Sequence, residues 1–354
     1  MVQPRRSESL HHIEGVVNHH DCAGVLNDEG ARSSACPFSQ SSTISISGLS
    51  FPPAGVPGCA RGKNGRIAFR RYFNDDHSWG AVFTMNANGK GERQVTHPPK
   101  GTLDDQPDWS EDGSLIAFSR SADAPAAVYT VHPDGSGLTL VSTCPPGGRP
   151  PKCSDDNLPA FSPDGEQIVF GSGRGNRFDL VIADTQRGEQ RVAIHATSKY
   201  NLSDPQFSPD GKRLAFVKIR QPSDHPQAIF VANVDGTGVH RVTPWSLGAG
   251  DNEDWSPNGK WILFRSYEEV EGKQSQIYLS HPDGSGLRQL THFKRGAIVT
   301  SSSFSPDGKW IVFATTGVGG NADLFVMRPD GSGMHPITRT KLWDSAPDRG
   351  PRAS

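Results

Sequence analysis

The chain has 354 residues, enough for one large domain or two ordinary ones. Its net charge of −2 gives no global pull toward nucleic acid or an anionic membrane, and no apolar run is long enough to span one. A hydrophobic share of 34% is low for a helical or doubly wound protein, but it suits short alternating strands with one wet face.

Residues 1–61 read as a disordered N-terminal arm, rich in Ser, Gly and Pro toward its end. Serines interrupt Ile44–Phe51, its nearest approach to a secretory core, so no clear signal peptide is read. His11, His12, His19, His20 and Cys22 match no standard zinc spacing.

From residue 62 two turn phrases alternate. The first is Ser-Pro-Asp-Gly, as at Ser208–Gly211, where Pro presets φ and Gly takes positive φ. The second is Asp-Gly-Ser-Gly, as at Asp134–Gly137 and Asp330–Gly333, a hairpin signal. Each unit holds four strands: an Asp-x-x-Pro-x-aromatic strand A, an apolar strand B such as Leu214–Phe216, an apolar strand C such as Ile229–Ala232, and a short polar edge strand D. The glycines closing the first turn fall at 65, 113, 165, 211, 259 and 308, at intervals of 48, 52, 46, 48 and 49. This period predicts an all-β fold, a six-bladed β-propeller of four-stranded blades over residues 62–348. The first unit lacks a strand A, and the missing phrase stands at Asp344–Asp348. The C-terminal strand is therefore expected to complete blade 1, leaving a tail at 349–354. Cys144 and Cys153 bracket a Pro/Gly loop and read either as a local disulfide, fitting an exported protein, or as two free thiols.

Phe207–Phe216 and Ile229–Gly238 are similar to the WD40-like PD40 repeats of the TolB-type propeller family, and the likeness covers residues 62–348. It implies a six-bladed propeller of the bacterial envelope, periplasmic or extracellular, with partners at one face and the channel mouth. That family's N-terminal α/β domain is not matched.

The B–C and D–A loops vary while the other turns are stereotyped, and function concentrates on variable loops. Arg70, Tyr72, His77, Trp79, Arg120, Tyr200, Trp245, Arg265, Tyr267, His292 and Trp343 fall at that end, of residue types enriched at recognition surfaces. They predict a non-catalytic, monomeric binding propeller for a protein, peptide or glycan. Asp105, Asp156, Asp204, Asp251 and Asp344 open strand A and are expected at the channel mouth. A hydrogen-bonding role is favoured there over a Ca²⁺ site. No cofactor, other metal or catalytic residue is read: nucleophile elbow, His-Glu-x-x-His and phosphate loop are missing from the sequence. The alternative reading is a propeller enzyme, a metal-assisted polysaccharide lyase, or a protease-associated gating propeller.

Overall fold

The computed structural model describes residues 64–351, apart from 123–124, 143–154, 175–176, 222–226, 267–274, 295 and 317–319. The arm, Cys144, Cys153 and Tyr267 lie outside the described residues. The described chain is all-β; the turn of 3-10 helix at Trp245–Leu247 is its sole helical element.

The strands form antiparallel sets of four, in chain order. The first set is β1 (Asn64–Tyr72), β2 (Gly80–Met85) and β3 (Arg93–Gln94), with β24 (Asp344–Pro351) on the free side of β1. The second is β4 (Leu103–Trp109), β5 (Ile116–Ser121), β6 (Ala127–Val131) and β7 (Thr139–Leu140). A single parallel pair, Gly80 with Leu103, joins these two sets into one sheet. The third is β8 (Asp155–Phe161), β9 (Gln167–Arg174), β10 (Arg177–Asp184) and β11 (Gln190–Ile194). The fourth is β12 (Tyr200–Phe207), β13 (Arg213–Arg220), β14 (Gln227–Asn233) and β15 (His240–Arg241). The fifth is β16 (Ala249–Trp255), β17 (Ile262–Ser266), β18 (Ile277–Ser280) and β19 (Arg288–Gln289). The sixth is β20 (Val299–Phe304), β21 (Ile311–Thr315), β22 (Asp323–Met327) and β23 (His335–Pro336).

One phenylalanine per set, Phe69, Phe118, Phe170, Phe216, Phe264 or Phe313, is fully buried at the middle of the second strand. Each contributes about 1.5–3 kcal/mol by leaving water. The apolar clusters lie between neighbouring sets. Leu214 and Phe216 pack with Val169 and Leu180, and Ile67 and Phe69 pack with Val312 and Leu324 of the sixth set.

The repeated serine and aspartate of the first turn have a shared task. The Ser208 hydroxyl donates to Asp210 Oδ1 at 2.6 Å and accepts the Arg213 N–H at 2.9 Å, and Asp210 accepts the Lys212 N–H at 3.1 Å. Ser110, Ser162, Ser256 and Ser305 repeat the arrangement. The threonine two residues past the outer strand has one too. Thr96, Thr243, Thr291 and Thr338 hydroxyls accept the N–H of Val82, Ile229, Ile277 and Leu324.

Each first strand but β20 carries one residue at positive φ: Gln106, Leu158, Asp204, Asn252 and Ala346, between 48° and 56°. The ladder slips there, as in a bulge, so the following residues turn toward the centre.

The last strand runs beyond Asp348 to Pro351, with Asn64 opposite Pro351 and Ile67 opposite Arg349. A Cβ on Gly350 would come within 2.4 Å of the Trp109 ring. Gly350→Ala is therefore expected to lower the urea midpoint by an equivalent of about 1–3 kcal/mol; an unchanged midpoint would show that this stretch does not pack.

Candidate functional site

Where the bulged strands converge they line a cavity of about 40 Å³, room for a few waters. Its most telling residues stand one place before the closing aromatic position: Asp108, Asp254 and Asp348. Each clasps the next set. The Phe161 N–H donates to Asp108 Oδ2 at 2.7 Å, the Phe304 N–H to Asp254 Oδ2 at 2.6 Å, and the Trp109 N–H to Asp348 Oδ2 at 2.8 Å. Asp348 also accepts the Ser303 hydroxyl at 2.8 Å. Burial, reinforced by the other carboxylates, pushes Asp108 well above the ordinary carboxylate range and Asp254 up to about 7, while burial also raises Asp348. Across the same cavity the Asn252 side-chain amide donates to Gln106 Oε1 at 2.7 Å.

The five acids read from the sequence stand at three registers. Counted back from the closing position, Asp156 and Asp344 are five residues away, Asp105 and Asp251 four, and Asp204 three. Asp204 lines the cavity and accepts the Asn252 N–H at 3.2 Å. Asp105 is bound to Arg70, and Asp344 takes the Arg71 guanidinium on both oxygens, at 2.6 and 2.9 Å.

The loop-end candidates gather in two places. In the first set, Arg70 bonds Asp105 and the Ser345 hydroxyl, and its guanidinium lies 4.3 Å from the Tyr72 ring centre. Burial opposes the Arg70 charge, but Asp105 outweighs it. Burial also pushes the Tyr72 phenol up to about 12. His77, at φ 58°, stacks on Tyr72 at 4.2 Å and meets Trp343 at 4.7 Å. Trp79 leans edge-on against Phe73, half-buried, with no hydrogen-bond partner for its indole N–H among the described residues. Arg120 is held by both oxygens of Asp104 at 2.6 and 2.8 Å, bonds that lift it above its ordinary range against burial.

In the fourth set, Tyr200 and Trp245 lie 5.9 Å apart and within 18° of parallel. Lys218 and Arg220, which sequence reasoning missed, complete this group. Arg265 lies half-buried on β17, and His292 is exposed, with its Nδ1 3.1 Å from Gln289 Nε2. Neither joins the two groups. The signal for Asp108, Asp254 and Asp348 was present as an acid in the variable slot before the aromatic position, while Lys218 and Arg220 are marked only by pairing across the sheet.

Comparison with known proteins gives a consistent picture. The family model "TolB beta propeller domain" matches residues 158–354. An uncharacterized protein of Agrobacterium fabrum is 26% identical over 203 residues, covering 48% of this chain and 67% of that protein. The crystal structure of TolB from Acinetobacter baumannii superposes with a TM-score of 0.66 at 20% identity, covering 81% of this chain and 67% of that one. A putative TolB from Agrobacterium tumefaciens superposes with a TM-score of 0.58 at 21% identity, covering 78% and 90%. These two likenesses speak to the fold.

Proposed function

The chain belongs to the TolB β-propeller family, and from that premise we propose that residues 62–348 are a non-catalytic binding propeller of the bacterial cell envelope. In this reading the four-stranded sets are six blades, β24 closes the ring by completing the first, and the protein acts as a monomer. A protein, peptide or glycan partner docks at the variable-loop end and the channel mouth. The observation that carries the reading is the gathering of aromatic and cationic side chains at the loop ends of the first and fourth sets, where residues of the strand ends meet residues of the adjoining loops. The opposite turns are occupied with one another: His132 Nδ1 lies 3.0 Å from the Ser114 carbonyl, and His281 Nδ1 lies 2.7 Å from the Lys260 carbonyl. In the narrow cavity, the three central carboxylates serve to hold neighbouring blades together.

Trp245 and Trp343 are the half-exposed aromatics to test, since Tyr72 is buried and structural. In affinity capture from a bacterial envelope extract, Trp245→Ala and Trp343→Ala together are expected to reduce the recovered partner about tenfold with the melting temperature unchanged. Undiminished capture overturns this docking face.

A further inference from the structure

One register position at the loop end of the sheets carries a cation in three sets. In the first it is Arg71, whose guanidinium lies over the rings of Phe69 and Phe83. In the second it is Arg120, over Phe118 and Tyr129. In the fourth it is Lys218, over Phe216 and Phe230, with its ammonium nitrogen 4.6 Å from the Phe230 ring centre. Each faces one residue on the neighbouring first strand: Arg71 pairs with Asp344, Arg120 with Asp104, and Lys218 with Leu202. Two of these cations are thus neutralised from directly across the sheet, and the third meets a leucine. Among the described residues neither Lys218 nor Arg220 reaches a carboxylate. Burial holds the Lys218 ammonium below its ordinary range.

Flat aromatic surface flanks this charge, which meets no carboxylate among the described residues. Tyr200 stands opposite Arg220 in the β12–β13 register, with Lys218 5.7 Å from its ring centre. The Arg220 guanidinium lies 4.2 Å from the Trp245 ring centre. A cation that expects a carboxylate, beside near-parallel aromatic rings, suits a ligand that carries a carboxylate on a rigid body with an apolar face. A uronic acid residue has both. A flexible acidic side chain would satisfy the charge but would leave the ring surface unused.

We propose that Tyr200, Lys218, Arg220 and Trp245 form a subsite for a uronic acid sugar, its carboxylate pairing with Lys218 and Arg220 from the solvent side as Asp344 and Asp104 pair with Arg71 and Arg120 from within the sheet. The subsite deepens, and rests on, the docking-face reading above.

The test is titration calorimetry of the full chain with cellotriuronic acid, with cellotriose as its neutral match and hexaglutamate as an acidic peptide. Cellotriuronic acid is expected to bind saturably and more weakly as salt rises, while cellotriose and hexaglutamate give no saturable heat. Lys218→Gln with Arg220→Gln should weaken binding at least about tenfold. Leu202→Asp, which supplies the missing internal carboxylate, should do the same if it folds. No binding of the triuronate, equal binding by the double glutamine variant, or equally tight binding of hexaglutamate overturns the subsite. Partner capture by the Trp343→Ala single variant is scored separately: it bears on the docking face through the first set, which has no part in this subsite, so the two readings can fail independently.

Discussion

Removing residues 341–354 is expected to lower the melting temperature by well over 10 °C or to abolish cooperative melting, read by tryptophan fluorescence or circular dichroism. The deleted stretch includes the whole of β24, which is buried along most of its length. Its loss takes Asp344 from Arg71 and Ser345 from Arg70, two cations less than a tenth exposed. It also removes Asp348 from the Trp109 N–H and the Ser303 hydroxyl. Stripping one partner from a buried ion pair costs about 3–5 kcal/mol, against a total stability of about 5–15 kcal/mol for an ordinary domain. A loss of that size moves a domain of this length by roughly 5–8 °C, and the strand's own packing adds to it. Asp344→Ala is the milder form and should account for much of that drop. Unchanged melting of the deletion would refute the role given to β24.

The second large effect is a pH dependence opposite to that of an acid-sensitive protein. Burial raises Asp108, Asp254 and Asp348, and neighbouring carboxylates reinforce it at Asp108 and Asp254, so the folded state holds protons that the unfolded chain releases. Stability from these groups is fully present below the unfolded aspartate value near about 4, and it is lost as pH rises through the folded values, about 7 for Asp254. For Asp254 the whole span is worth on the order of 4 kcal/mol. The turn aspartates act in the other sense. Burial opposes the charge on Asp210, but hydrogen bonds from Ser208 and the Lys212 N–H outweigh it, so that contribution is lost as pH falls below the unfolded value. Melting temperature should therefore peak near pH 5 and decline toward pH 8. Asp254→Asn keeps an acceptor for the Phe304 N–H and should flatten the decline, raising the melting temperature most at pH 8 and much less at pH 5. An identical profile for the two proteins would show that Asp254 is not protonated in the fold.

The strands and their order were legible because each turn phrase states its own geometry and recurs, and because an apolar run such as Leu214–Phe216 can be buried on both sides only in a central strand. The pairing of Asp344–Asp348 with β1 was legible as a phrase missing at one end of the repeat and present at the other, while its continuation through Pro351 fell in the stretch read as a tail. The candidate site was less so. An acid opening strand A looks like a repeat feature when read along the chain, yet the acids so chosen occupy three registers, because a bulge makes one residue more or less decide which way a side chain faces. What Lys218 lacks is likewise invisible along the chain. Leu202 and Lys218 are 16 residues apart, and only the β12–β13 register sets the leucine where the first and second sets place an aspartate.

The pairing of β1 with β24 also orders events in time. Arg71 and Asp344 are separated by 273 positions, so β1 emerges from the ribosome long before the strand that covers its free side. At about 5–20 residues per second, that side stays open for tens of seconds. Over that interval β1 presents unpaired N–H and C=O groups beside the buried-type residues Ile67, Ala68 and Phe69, the condition in which strands recruit other chains. The entropy of joining such distant ends grows only as the logarithm of their separation, so the final state loses little by it. The burden falls on the rate of folding, which slows as contacts become more distant in sequence. Yield on refolding should consequently depend on protein concentration much more strongly than the stability of the finished fold does.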